Sequence, residues 1–160
     1  METAATKLDW ECEQIAALPW RKSADGEVRI LLVTSRTNAK WMLPKGWPIK
    51  GKSDAETALV EAFEEAGIDG QVSNVPIGSY FYLKLYDDGR AVPSQAVVYP
   101  IRVTSVAKKW DEKKQRSRRW MRPKKAAEMA FEPDLKRFLA DLDETALSFD
   151  TSASSDLRRK

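Results

Sequence analysis

The spacing of apolar residues changes several times along this chain, and each change marks an element. Val28–Thr34 (VRILLVT) is a short apolar run rich in β-branched residues, preceded by the turn-forming Ala24-Asp25-Gly26, and reads as a buried strand. Residues 41–43 make a second short strand that Pro44 stops. Residues 44–52 (PKGWPIKGK) carry two prolines and two glycines and read as a loop. From there the period becomes helical. Ser53-Asp54-Ala55-Glu56 matches a capping box, and Gly67 stands where a C-terminal stop belongs, so a helix is predicted over 53–66. Ala55, Ala58, Leu59, Ala62, Phe63 and Ala66 recur at the spacing of one buried face.

Two long strand-like runs follow at 77–85 and 96–106, joined by a long connection holding the turn residues Asp87-Asp88-Gly89. Arg118–Met121 reads as a last short strand. Residues 133–142 read as a closing helix with Leu135, Phe138, Leu139 and Leu142 on one side. Strands followed by helices, with antiparallel hairpins, imply an α/β sandwich around a mixed sheet.

Composition narrows the class. The 160 residues fit one domain over 15–145, with 1–14 as a loose lead-in and the Ser-rich 146–160 as a frayed, disordered tail. With 42% hydrophobic and 32% charged residues the chain reads as soluble and folded. No apolar run approaches the ~18 residues of a bilayer span, and the N-terminus lacks the pattern of a signal peptide, so no membrane partner is expected. A single cysteine, Cys12, excludes an internal disulfide and points to a reducing cytoplasm. Histidine is absent, which excludes imidazole as base or metal ligand. Catalysis, if any, falls to carboxylates, lysines, tyrosines or a metal.

Charge adds a spatial hint. Ten basic residues and only two acidic ones, Asp111 and Glu112, lie between 108 and 125, while acidic residues gather near 61. A basic segment facing an acidic helix suits an anionic substrate bridged by a cation.

At 100° per residue, Glu61, Glu64 and Glu65 fall within about 100° of one another on the side of the helix opposite the apolar stripe. No Lys or Arg stands four residues away from any of them. Like charges at i, i+4 repel by a few tenths of a kcal/mol, and negative charge in a last turn opposes the helix dipole by about 0.3–1 kcal/mol per group. A bound divalent cation would reverse both penalties, and hard oxygen ligands select Mg2+ or Mn2+. A solvated acidic face is the plainer alternative. The flexible backbone of 44–51 just before the helix could add a carbonyl ligand or phosphate-binding N–H groups.

This stretch resembles the Nudix hydrolase family, whose signature runs G-x5-E-x7-R-E-U-x-E-E-x-G-U, with U a bulky apolar residue. Gly46, Glu61, Glu64, Glu65, Gly67 and Ile68 fall in register with it. Lys52 stands where the first Glu belongs and Val60 where the Arg belongs, so Glu64 loses its usual partner; Ala62 is a small version of an apolar position. Further segments, ALPWR at 17–21, ILLVTSR at 30–36, KWMLPKGW at 40–47 and KWDEKKQRSRRWM at 109–121, are similar to the diphosphoinositol-polyphosphate and diadenosine-polyphosphate branch.

The resemblance implies a Nudix-type α/β/α sandwich and hydrolysis of a phosphoanhydride bond in a nucleoside diphosphate derivative, dinucleoside polyphosphate or diphosphoinositol polyphosphate. Glu61, Glu64, Glu65 and the Gly46 carbonyl would hold Mg2+ or Mn2+, and Glu64 or Glu65 would orient or deprotonate water. Arg21, Arg36, Lys40, Lys45, Arg116, Arg118 and Arg119 are the candidates for gripping phosphate. Trp47 is the tryptophan most expected to be exposed, and Trp20, Trp41 and Trp120 are read as packing residues. Two other readings stay open: a Nudix-fold binding module that has lost catalysis, and an RNA 5′-pyrophosphate hydrolase. The second has only the basic run behind it, so a nucleic-acid partner is not expected.

Overall fold

The computed structural model describes residues 12–147. Its centre is an eight-stranded mixed sheet formed by β1 (Cys12–Lys22), β2 (Val28–Thr34), β3 (Trp41–Met42), β4 (Lys45–Gly46), β5 (Ile68–Val72), β6 (Gly78–Leu85), β7 (Ala91–Val106) and β8 (Arg118–Met121). Helix α1 (Asp54–Ala66) lies on one face; α2 (Pro123–Met129) and α3 (Pro133–Ala140) lie on the other. The path β3-β2-β1-β7-β5 forms the body; β4 also pairs β1, β6 pairs β7 and β8 pairs β2.

The strand pattern divides two cores cleanly. In β2, Leu31 and Val33 point toward α1 while Ile30 and Leu32 point toward α2 and α3. In β1, Ile15 and Ala17 take the first side and Ala16, Leu18 and Trp20 the second. A strand covered on both faces loses the polar alternation that advertises a strand in sequence. That is why β1 lies partly inside the segment expected as lead-in: Cys12 already pairs with Ser94, in a parallel ladder running to Trp20 opposite Arg102. The expected tail from 148 onward lies outside the described residues; 144–147 form a 3-10 turn whose Leu147 is buried.

Three other expectations change. Residues 44–52 contain β4, which pairs Gly46 with Ile15 and Lys45 with Ala16. The connection before β7 is only 86–90, closed by hydrogen bonds between Tyr86 and Arg90 and between Gly89 and Tyr86. Pro93 sits inside β7, one residue before Ser94, where the ladder with the described part of β1 begins. Finally, the buried stripe of α1 is rotated. Ala55, Ala58, Ala62 and Ala66 are buried as expected, but Phe63 is 46% exposed and Glu65 only 5%. The wet face of α1 therefore holds Phe63, and the acidic set straddles the edge of the packed face.

Both ends of α1 are fixed as its sequence indicates. Ser53 Oγ accepts from Glu56 N at 3.1 Å, and Ser53 N donates to Glu56 Oε1 at 2.8 Å, an arrangement stabilising by about 1 kcal/mol. Gly67 adopts φ 67° and its N–H reaches back to Phe63 O. An added Cβ there would lie 2.7 Å from the Trp110 ring, so glycine is required both by conformation and by space.

Candidate active site

A cleft of about 590 Å3 opens beside the N-terminal half of β1, between β4, α1, the 107–117 loop, β6 and the segment joining α2 to α3. β4 and α1 bring the first pair of groups together. An ideal Cβ on Gly46 would sit 2.4 Å from Glu61 Cδ, so the Glu61 carboxyl lies directly on the Gly46 backbone. The backbone N–H of Lys45 donates to Glu65 Oε1 at 3.4 Å. The neighbouring Glu65 carboxyl favours the charged form of Glu61, against the larger effect of burial.

The electrostatics of this pair are strained. Burial, helped by the Glu61 and Glu112 charges and opposed by Arg116, pushes Glu65 up from the usual 4.5 to about 8. Burial first, then the Glu64 charge, raises Glu61 as well. Two neighbouring carboxyls that burial pushes toward their protonated forms offer a place where a cation can replace a proton. With the Gly46 backbone beside them, the donor set is all oxygen, which fits Mg2+ or Mn2+. Among the described residues, no three Asp, Glu, Cys or His side chains converge on one point as they stand, so water and ligand oxygens would complete the sphere.

The structure sorts the expected site residues. Glu61, Glu65, Gly46, Arg36, Lys40, Lys45 and Arg116 all line the cleft. Glu64 is adjacent but outside the lining; its carbonyl accepts from Glu112 N. Arg21, Arg118 and Arg119 are elsewhere. Arg21 stacks 3.9 Å from the Trp120 ring centroid, and Arg119 is an exposed residue of β8. Arg118 donates to Ala66 O and Ala107 O, both at 2.7 Å, and lies over Trp110. It supplies to the C-terminus of α1 the cation that the helix itself lacks. Their spacing in sequence gave no sign of this, because β8 is held away from the cleft by its ladder with β2.

Lys45 is also committed. Its buried ammonium lies 3.3 Å from Glu132 Oε2 and 4.5 Å from the Tyr82 ring centroid, and desolvation lowers its pKa. Four ionisable cleft residues were not among the candidates read from sequence: Lys84, Glu112, Glu132 and Tyr82. Glu112 had a readable signal, as one of two acids inside the basic run. Glu132 had none. Its second oxygen, Oε1, is buried with no hydrogen-bond partner among the described residues.

Residues 14–142 match the NUDIX domain family. The chain belongs to the Nudix family. The α/β/α sandwich is the Nudix fold. Among curated relatives, chloroplastic Nudix hydrolase 21 of Arabidopsis thaliana is 32% identical over 123 residues, covering 72% of this chain and 58% of that protein. Mitochondrial Nudix hydrolase 12 of the same plant is 28% identical over 106 residues, covering 64% of this chain and 52% of its own length. The chain thus spans little more than half the length of these relatives. Among solved structures, a C. elegans Ap4A hydrolase binary complex aligns with a TM-score of 0.63 at 19% identity, over 86% of this chain and 99% of that one. The NUDIX domain of Shewanella oneidensis NrtR, complexed with ADP ribose, aligns at 0.59 and 18% identity, over 81% and 84%. At such identities the likeness is one of fold. Among the described residues no helix is long and apolar enough to cross a membrane.

Proposed function

We propose that this Nudix protein is a Mg2+- or Mn2+-dependent hydrolase of a phosphoanhydride bond, acting on a nucleoside diphosphate derivative or dinucleoside polyphosphate. The observation that carries this reading is the Glu61–Glu65 carboxyl pair against the Gly46 backbone, in a cleft whose other walls bear cations. Glu61, Glu65 and the Gly46 carbonyl would hold the ion, with Glu64 in support from the same turn. When bound, the ion would neutralise phosphate charge and make a bound water more acidic. Glu65 or Glu64 would orient that water and take its proton. Arg36 and Lys40, exposed at the cleft wall, would grip the flanking phosphates. Lys84 joins them, and Lys45 contributes its field from beneath.

Apolar side chains interleaved with these cations favour a base over an inositol ring. Trp47 is 50% exposed, and Leu83, Leu85 and Phe131 are exposed beside the same cleft. A diphosphoinositol polyphosphate carries phosphate all around its ring and has no apolar face to lay on such a surface; a nucleobase has one.

A second reading, a binding module without catalysis, draws support from Val60, Lys52 and the absence of three converging ligand side chains among the described residues. The RNA reading loses ground, since Arg116 and Arg118 of the basic run are tied to protein groups, and Arg122 pairs with Asp25 and Glu27. The test is release of phosphate products from diadenosine tetraphosphate, ADP-ribose, diphosphoinositol pentakisphosphate and 5′-triphosphate RNA with Mg2+. Hydrolysis of a nucleotide, lowered about 100-fold by Glu65→Gln, supports the proposal. Ligand binding with no turnover on any of the four favours the module.

A further inference from the structure

Arg116 was expected to grip phosphate, and its surroundings argue for different work. Its side chain is 7% exposed, and its donors are taken in three directions. Nε donates to Glu112 Oε1 at 2.6 Å, Nη1 donates to Thr34 O at 2.9 Å, and Nη2 lies 3.6 Å from Glu65 Oε2. A guanidinium is a rigid planar fork, so it cannot rotate toward a phosphate without disturbing these three contacts, which leave two of its five N–H groups uncommitted. By contrast Arg36 and Lys40 are exposed in the same cleft.

The backbone around Arg116 is fastened at both ends of this span. Ser117 N donates to Thr34 Oγ1 and Thr34 N to Ser117 O, which ties the loop to β2. Trp110 Nε1 donates to Glu65 O at 3.0 Å, and Glu112 N to Glu64 O, which tie it to α1. Arg116 is therefore held where the end of β2, the last turn of α1 and the loop carrying Glu112 meet. Glu65 and Glu112 are acidic side chains brought together where the 107–117 loop packs on the last turn of α1, and α1 has no cation in that turn to set against them. The basic residue that the Nudix frame lacks at Val60 has no replacement on α1 itself.

We infer that Arg116 is a positioning residue, which holds the carboxylates of Glu65 and Glu112 in one fixed arrangement for the reaction and does not bind the substrate's phosphates. The inference rests on the hydrolase reading above. Its test compares Arg116→Gln and Arg116→Lys with wild type in three measurements: kcat and KM on whichever substrate the panel identifies, Mn2+ binding followed by electron paramagnetic resonance, and thermal melting. Arg116→Gln is expected to lower kcat about 10–100-fold and weaken Mn2+ binding about 10-fold, with KM little changed, as for removal of a group that orients ligands. Arg116→Lys, which keeps the charge but not the fork, is expected to recover part of the Mn2+ affinity and little of kcat. A rise in KM at unchanged kcat would make Arg116 a phosphate contact and overturn the inference. So would a lowered melting temperature with kcat and Mn2+ binding intact. If Arg116→Gln does not fold, Arg116→Lys decides by its kcat; if neither folds, the residue serves the fold and the inference fails. A wild type that neither binds Mn2+ nor turns over any substrate fails the hydrolase reading itself, and the inference falls with it.

Discussion

Replacing Gly46 with alanine tests the site without altering a single charge. The added Cβ would lie 2.4 Å from Glu61 Cδ and 2.6 and 2.7 Å from its two oxygens. Ordinary carbon contacts are about 3.5–4.0 Å, so the carboxyl must retreat by more than ~1 Å. All three crowded atoms belong to the free end of a flexible side chain, and φ at Gly46 is not positive. The relief is therefore a rotation of Glu61 into a poorer rotamer, costing about 0.5–1.5 kcal/mol, and not a break in β4. For a domain of this size that lowers the melting temperature by only about 2–6 °C. The site suffers more, because a displacement of ~1 Å at a reacting centre can cost about 100-fold. Expected for Gly46→Ala is a loss of Mn2+ affinity and kcat of about 10–100-fold, in a protein that still melts cooperatively. Calorimetric titration with Mn2+ and steady-state kinetics measure the two losses side by side. Unchanged Mn2+ affinity and kcat would refute the pairing of Gly46 and Glu61 as joint ligands.

Other consequences can be checked as directly. Glu65 titrates near 8 in the folded metal-free chain against 4.5 ordinarily, so the folded state keeps a proton that the unfolded state releases between those values. Stability in EDTA should accordingly fall as pH rises from about 5 to 8, by at most ~1.4 kcal/mol per pH unit, and both Glu65→Gln and saturating Mg2+ should flatten the slope; a melting temperature that rises across this window contradicts the assignment. Gly67→Ala forces an L-residue into φ 67° and against Trp110, and should destabilise by about 1–2 kcal/mol in chemical denaturation, with equal stability refuting it. Trp47→Ala should raise KM for a nucleotide substrate several-fold while leaving kcat and the melting temperature nearly unchanged, since the ring is half exposed; an unaltered KM would remove Trp47 from the base-binding wall.

Local signals in this chain were reliable where the interaction itself is local. The capping box at Ser53 and Glu56, the stop at Gly67, the β2 run and the short β8 strand all depend on residues within one or two turns of each other. So does the resemblance carried by Gly46 to Ile68, which run from the end of β4 through a loop and α1 to the start of β5. Partners remote in sequence were not legible. β1 is a strand because β7, some eighty residues on, covers its edge in parallel, and its alanines and Pro19 carry no strand signal of their own. Glu65 is buried where helical geometry alone put it on the wet side, because the 107–117 loop packs over the last turn of α1. The same packing separates cations that look equivalent in sequence: Arg116 reaches the glutamates, Arg118 caps the helix from outside, and Arg119 faces solvent. Periodicity can tell which side of one helix is apolar, but which charges become neighbours depends on how separate elements are stacked, and that is decided by burial of the two cores on either side of the sheet.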